Sequence, residues 1–244
     1  MNVPLRLFAI SLVLACGACA TAADTAPADP YESFNRKVFA FNDALDRNII
    51  APLSLGYRAV TPNFAERGVR NFFSNLYDFN GTLNAVVQGR FTEAGRDGGR
   101  FVINSTVGMF GLVDVASEIG IAPYRTDFGH TLALWGMEPG PYIMVPFFGP
   151  RTVRSGTGFM VDTVASVQWS IDNFGLRAGL FSLEVIDNRA ALTDAEQLIT
   201  GDRYIFIRDI YLQTREAFVN DGVVKDTFSD FEDEFGDEFD WDEE

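Results

Sequence analysis

Cysteine is missing from the body of this 244-residue chain; its two cysteines, Cys16 and Cys19, both fall within the first twenty residues. A disulfide across so short a span would constrain nothing, and no histidine or cysteine at metal-ligand spacing accompanies the pair. Neither a stapled scaffold nor a metal site is expected. Histidine is limited to His130, and a lone imidazole beside apolar residues is more often a hydrogen-bonded structural group than a catalyst. The sequence has no G-x-S-x-G elbow, Walker loop or HExxH zinc motif, so the chain is not read as an enzyme and no cofactor is expected. It also has no basic stripe interleaved with aromatics, which argues against nucleic acid as a partner. No stretch offers the roughly 20 uninterrupted apolar residues of a spanning helix. Convincing pairs of alternating segments, the mark of a β-hairpin, are absent as well.

Phenylalanine and acid are plentiful. There are 23 Phe residues, and 47 % of the chain is hydrophobic despite a formal charge of −15. From Asp226 onward eleven residues are acidic and none is basic; removing those eleven charges leaves −4 for the rest. The acidity is therefore a property of the tail, and the body is near neutral. Within the tail, Phe228, Phe231, Phe235 and Phe239 are spaced as one stripe of a helix. Like charges so close together, and Gly236, oppose that helix in isolation, so residues 223–244 are expected to be disordered when free. Two uses remain open for them: a solvated appendage, or a segment that folds into a basic groove on a partner.

The N-terminus reads as an address. Arg6 precedes the apolar run Leu7–Leu14, which is too short to remain as a spanning helix, and small residues follow. Such an end matches a bacterial lipobox, in which cleavage occurs before a cysteine that carries lipid. Cys16 has Val13 at the apolar position three residues earlier, and Cys19 has better small residues just before it. An ordinary secretory leader cut near Ala18 or Ala20 is the alternative. Residues 1–18 are assigned to leader and lipobox, and the small, polar stretch 19–28 to a flexible tether.

The body, 29–222, is patterned as helix. Asp29, Pro30 and Glu32 form a candidate N-cap, N1 and N3, and Phe34, Val38, Phe41 and Leu45 follow on one face, with Pro52 as the stop. Thr61-Pro62 opens a second helix with Val69, Phe72, Phe73 and Leu76, and a third continues to Gln88. Thr92-Glu93 opens an element whose beginning, with Arg96, Asp97 and Arg100, reads as solvated and whose glycine-rich end reads as apolar and loose. The Gly-rich pieces 95–99 and 155–158 are expected to be turns or close packing. Helical patterns return over 151–174 and 177–199. A last helix is capped by Asp202, carries Tyr204, Ile207, Tyr211 and Phe218, and ends at Asn220-Asp221-Gly222. The expected fold is mostly α.

Between these helices lies Gly129–Pro150, apolar and aromatic, with Glu138 as its one acidic residue and prolines at 139, 141, 146 and 150. So many prolines exclude one long helix. The segment is either a buried core loop or a piece of backbone at a membrane interface or cavity wall. On the second reading Trp135, Tyr142, Phe147 and Phe148 are the residues expected to face lipid or a channel.

Several ordered pieces of the body stand out: Asp29-Pro30-x-Glu32-x-Phe34-Asn35-Arg36, Asn71-Phe72-x-x-Asn75-Leu76, Gly111-x-x-Asp114-Val115-Ala116, Phe128-Gly129-His130-Thr131-Leu132, Gly136-x-x-x-Gly140-Pro141-Tyr142-x-x-x-Pro146-x-x-Gly149-Pro150, and Asp202-x-Tyr204 with Arg208-x-x-Tyr211-x-Gln213. In this order they resemble the MlaA/VacJ family of outer-membrane lipoproteins. The chain departs from the family pattern at Arg203, where proline is usual, and in its acidic tail. The resemblance implies a single helical ring or disc in the periplasmic leaflet of the outer membrane. It implies an amphipathic channel that removes mislocalised phospholipid from the outer leaflet, association with a trimeric porin, and transfer to a periplasmic lipid-carrier protein. The competing reading is a structural lipoprotein that scaffolds porins without moving lipid.

Overall fold

The computed structural model describes residues 29–193, 196 and 199–221. The leader, Cys16 and Cys19, the tether and the acidic tail lie outside the described residues. Helix α1 (Glu32–Leu45) begins after a turn at Pro30-Tyr31 and has no side-chain cap. The expected cap, Asp29, is occupied elsewhere. Its carboxylate accepts from Asn35 Nδ2 at 2.7 Å and from the Tyr204 hydroxyl, which latches the start of the domain to its last helix.

Pro52 does not end α1. The chain runs through a π-helical turn (Asp46–Ile50) into α2 (Ala51–Val60), with the Ala51 N–H reaching back to the Asp46 carbonyl. That wider turn sets Pro52 in the first turn of α2, where a missing N–H breaks no bond. Thr61-Pro62 then opens one helix, α3 (Asn63–Val87), where two were expected. Gly81 sits within it where α4 comes close: a Cβ there would lie 2.8 Å from Asp97 Oδ2. Helix α4 (Phe91–Thr106) packs along α3, and a run of tight turns leads to the short α5 (Val115–Glu118) and then α6 (Phe128–Leu134).

A hairpin follows, against expectation. Strands β1 (Tyr142–Val145) and β2 (Gly149–Thr152) pair antiparallel, Tyr142 opposite Thr152 and Val145 opposite Gly149. Its alternation is hidden in the sequence because β1 is apolar throughout and Pro150 sits in β2. Side chains of α1 supply the missing order. Asn35 donates to the Tyr142 carbonyl (3.1 Å) and accepts from Met144 N–H (2.9 Å). Asn42, two turns along, does the same for the Val145 carbonyl (3.0 Å) and Phe147 N–H (2.9 Å). Each amide thus serves the free edge of β1 as a peptide group of a neighbouring strand would.

Helix α7 (Val153–Ala165) starts on a capping box in which Thr152 and Ser155 bond reciprocally. After a 3₁₀ turn (Gln168–Ser170) come α8 (Phe174–Ala191) and α9 (Arg203–Val219). Asp202 caps α9 through Tyr204 N–H and Ile205 N–H, as the sequence predicts, and Arg203 costs the cap nothing. Tyr142, Met144 and Tyr204 form a small apolar core with Val38, Phe39, Tyr211 and Leu212 around it. Among the described residues no helix is long and apolar enough to cross a membrane. The 25-residue α3 reaches roughly 37 Å at 1.5 Å per residue, but it carries Glu66, Arg67, Arg70 and Asp78.

Candidate functional site

The described residues partition in an unusual way. Eight hydrophobic residues are buried, three of them alanines other than Ala85, against fifteen polar or charged ones. Exposed apolar side chains alone mean little, because folded surfaces are more than half apolar; buried polar groups are the informative part. Here the helices carry them as stripes. In α3 the inward residues include Asn75, Asp78 and Asn84, and in α4 they are Ala94, Asp97, Arg100 and Asn104. The charged start of α4, expected to be solvated, therefore faces α3.

Arg100 is the hub and is only 1 % exposed. Its Nε donates to Asp78 (3.0 Å), Nη2 to both oxygens of Asp114 (3.1 Å), and Nη1 to Ser117 Oγ (3.0 Å) and the Ile121 carbonyl. Burial pushes the Asp78 carboxyl up to about 6 against the pull of Arg100. Burial also acts to raise Asp114, but bonds from Ser117, Asn104 and Arg100 outweigh it and hold that carboxyl at about 2. The hub ties α3 and α4 to the segment 107–121. That segment includes Met109, Phe110 and Gly111, three successive left-handed residues (φ 53°, 59° and 89°). A bulky side chain in that region is strained, and the strain persists only because the surroundings enforce it.

A second polar group joins α6, α7 and α9. Asp127 caps α6 through His130 N–H (2.7 Å) and takes both terminal nitrogens of Arg215. Burial acts to raise its pKa, but Arg215 wins and holds it below the usual range. Asp162 of α7 accepts from Phe128 N–H (2.9 Å) and Asn84 Nδ2 (2.8 Å), and burial moves its carboxyl up to about 6. His130 is buried against Phe218 with Nδ1 3.2 Å from Thr126 Oγ1 and Nε2 without a hydrogen-bond partner, and burial lowers its pKa. Helices α6 and α7 touch at Gly129 and Gly158, where a Cβ on Gly158 would sit 2.2 Å from Gly129 N. The 155–158 stretch is thus close packing, whereas Gly95 and Gly99 stand in open space within α4.

The outside is correspondingly apolar. Exposed large hydrophobics run from Leu53, Leu55, Val60 and Phe64 around the α2–α3 turn to Met109 and Phe110, and on to Phe174 and Leu176 of α8. Of the four residues predicted to face lipid or a channel, Trp135 (59 %), Phe147 (67 %) and Phe148 (43 %) are exposed. Tyr142 is not. It is 0 % exposed and packs edge-on to Tyr204 and Tyr211, because alternation along β1 turns it and Met144 to the core. The tip residue Phe147 is left-handed (φ 66°) and rests on Phe41 at 5.3 Å, and Trp135 rests on Phe128 at 5.7 Å. Sequence reasoning missed Arg100, Asp78 and Asp162. The signal available was Asn and Asp recurring at helical spacing along α3, at 75, 78 and 84.

An inverted helical body with an apolar exterior is the setting in which similarity to other proteins becomes informative. The sequence profile of the MlaA lipoprotein family matches residues 27–218. The chain belongs to that family. It is 33 % identical over 233 residues to the intermembrane phospholipid transport system lipoprotein MlaA of Escherichia coli, covering 92 % of each chain. It is 36 % identical over 197 residues to an uncharacterised protein of Rickettsia typhi, covering 78 % of each. A solved structure, described as the structural basis for maintenance of bacterial outer membrane lipid asymmetry, superposes with a TM-score of 0.70 at 34 % identity, covering 78 % of this chain and 98 % of that one. The mostly helical fold of this family member is therefore shared with a solved relative, and its relatives include transport lipoproteins.

Proposed function

We propose that this family member is an outer-membrane lipoprotein that takes mislocalised phospholipid from the outer leaflet and passes it through an amphipathic channel to a periplasmic carrier. The carrying observation is the inverted partition: Arg100, Asp78, Asp97, Asn104, Asp187 and His130 inside, Trp135, Phe110, Phe147 and Phe174 outside. Fully burying one large apolar side chain stabilises by roughly 1.5–3 kcal/mol, and a whole domain has only about 5–15 kcal/mol to spare. A surface this rich in exposed aromatics matches acyl chains better than water. The body lies as a ring or disc in the periplasmic leaflet, held by lipid on Cys16 or Cys19 and seated against a trimeric porin. The names of the relatives support the same reading.

Outer-leaflet phospholipid labelling in a deletion strain tests this. The expected result is a rise in labelled phospholipid that the full chain reverses and the double variant Cys16→Ser/Cys19→Ser does not. An outer leaflet unchanged by the deletion would refute transport and leave a porin scaffold.

A further inference from the structure

The last turn of α9 closes over an imidazole that lacks a bond. His130 is 1 % exposed, and its Nε2 is buried with no hydrogen-bond partner. Folded interiors leave few polar atoms unpaired, so this one calls for a reason. Asp221 Oδ1 lies 3.9 Å from that nitrogen, too far to accept a proton from it. Asp221 is committed elsewhere. Arg90, in the connection between α3 and α4, grips both of its carboxylate oxygens, Nη1 at 3.1 Å and Nη2 at 2.8 Å. The Tyr124 hydroxyl joins the pair, donating to Asp221 Oδ1 at 3.2 Å and accepting from Arg90 Nη1. Phe218, one turn back on α9, lies edge-on to the imidazole with ring centroids 5.8 Å apart. Arg90 and Tyr124 thus hold the end of α9 down on His130.

The closed arrangement suits a neutral ring and has no place for a second proton. Thr126 Oγ1, 3.2 Å from Nδ1, already accepts from Gln88 Nε2 at 2.8 Å and has its own proton to give to Nδ1. Imidazolium donates at both nitrogens. One of its protons would meet the Thr126 hydroxyl proton, and the other would point into the gap before Asp221. The charged neighbours are also matched among themselves. Asp221 and Arg215 face the ring from α9, Arg90 from the α3–α4 connection and Asp127 from the turn before α6. Arg90 pairs with Asp221 and Arg215 with Asp127, so an added charge finds no carboxylate of its own. Tyr124, from the segment before α6, is the remaining titratable neighbour. Burial acts in the same direction and depresses the His130 pKa.

We propose that this is an acid-released clasp: neutral His130 lets Arg90 and Tyr124 hold Asp221 and the last turn of α9 closed, and protonation opens that turn to water. The Asp221 side chain is 46 % exposed, so water screens its pair with Arg90 and the hold is weak enough to yield. The closed form disfavours the charged ring. Closure is therefore complete above the ordinary histidine value of 6.5 and fades as pH falls below it. From Asp221 the chain runs on into its acidic end, so the clasp governs the point where that end joins the body.

His130 is the single histidine of the chain, so NMR of histidine-labelled full-length protein in detergent follows its titration without ambiguity. Its midpoint should lie below the ordinary value in the wild type and move back toward it in Arg90→Ala, whose clasp stands open. Backbone amide exchange over 216–220, corrected for intrinsic rates, reads the opening itself. Between about pH 7.5 and about pH 5 the wild type should open on the order of three- to tenfold more. His130→Gln should stay closed at both pH values, and Arg90→Ala should be open at both. Global unfolding does not read the clasp, because Asp78 and Asp162 shift it in the opposite sense near pH 6. Exchange at 216–220 that acid leaves unchanged or slows overturns the proposal, as does an equal acid response in His130→Gln. A His130 midpoint that Arg90→Ala leaves in place also overturns it, since the ring would then sense burial and not the clasp.

Discussion

The molecule is built around two interiors that obey opposite rules. Where the hairpin meets α1 and α9, Tyr142, Met144 and Tyr204 pack together and polar groups serve backbone edges, as in a protein made for water. Between α3 and α4 the interior is Arg100, Asp78, Asp97 and Asn104, and the outward faces carry Leu83, Val86 and Val102. In water the first arrangement gains from the hydrophobic effect and the second does not. A charged interior becomes reasonable when the outside is not water: with acyl chains as solvent, apolar side chains gain nothing by turning inward, and polar ones have nowhere else to go. The contrast predicts that the two interiors will respond differently to the same perturbations.

The largest effect is expected at the hub. Arg100→Met leaves Asp78 without its cation and Asp114 without two bonds, and should cost about 3–5 kcal/mol, the usual penalty for removing one partner of a buried pair. Thermal unfolding in detergent measures it. Adding Asp78→Leu should restore part of the loss, since the stranded charge goes too; no recovery in the double variant would mean that the stripe is held by shape and not by charge.

In the other interior, Met144→Ala removes apolar volume from a well-packed site and should cost roughly 2–4 kcal/mol by transfer and cavity terms. No compensating second change exists there. Detergent chain length should matter little to this loss, whereas it should alter the cost of Arg100→Met. Equal sensitivity of the two variants would break the distinction.

Titration separates them further. The folded state raises Asp78 and Asp162 from 3.8 to about 6 through burial, so it favours their protonated forms. Their contribution is complete below the unfolded value and is lost as pH rises through about 6. Asp114, held at about 2, acts in the opposite sense and loses its contribution only as pH falls below the unfolded value toward 2. The unfolding midpoint in detergent should therefore be highest near pH 4 and decline toward pH 6, then level off. Asp162→Asn should flatten part of that decline, and a midpoint that climbs from pH 4 to 6 would contradict the assignment.

The smallest expected change is at Tyr142, whose buried hydroxyl has no hydrogen-bond partner. Tyr142→Phe should be neutral or stabilise by up to about 1 kcal/mol, because an unsatisfied buried donor costs more than it returns. A clear loss of stability in Tyr142→Phe would show that the hydroxyl is bonded after all.

Local sequence pattern alone determined that the body is mostly helical, the helix start after Pro62, the Asp202 cap, and, through its prolines, the absence of a long α-helix across 129–150. Local chemistry suffices there, since caps and stripes are properties of residues within a few positions of one another. Tertiary structure decided the rest. The hairpin exists because Asn35 and Asn42 complete its edge from more than a hundred residues away, a partnership no local pattern encodes. Asp29 bonds Tyr204 and the Asn35 side chain instead of capping its own helix for the same reason. Arg100 is buried although its neighbours Arg96 and Glu93 read as surface, because Asp78 and Asp114 converge on it from other segments. Tyr142 and Phe147, alike as exposed-aromatic candidates in the sequence, part company at the turn of the hairpin: one ring is carried into the core and the other out to the tip. Which aromatic faces outward is a matter of strand register, and register is fixed only when the strands meet.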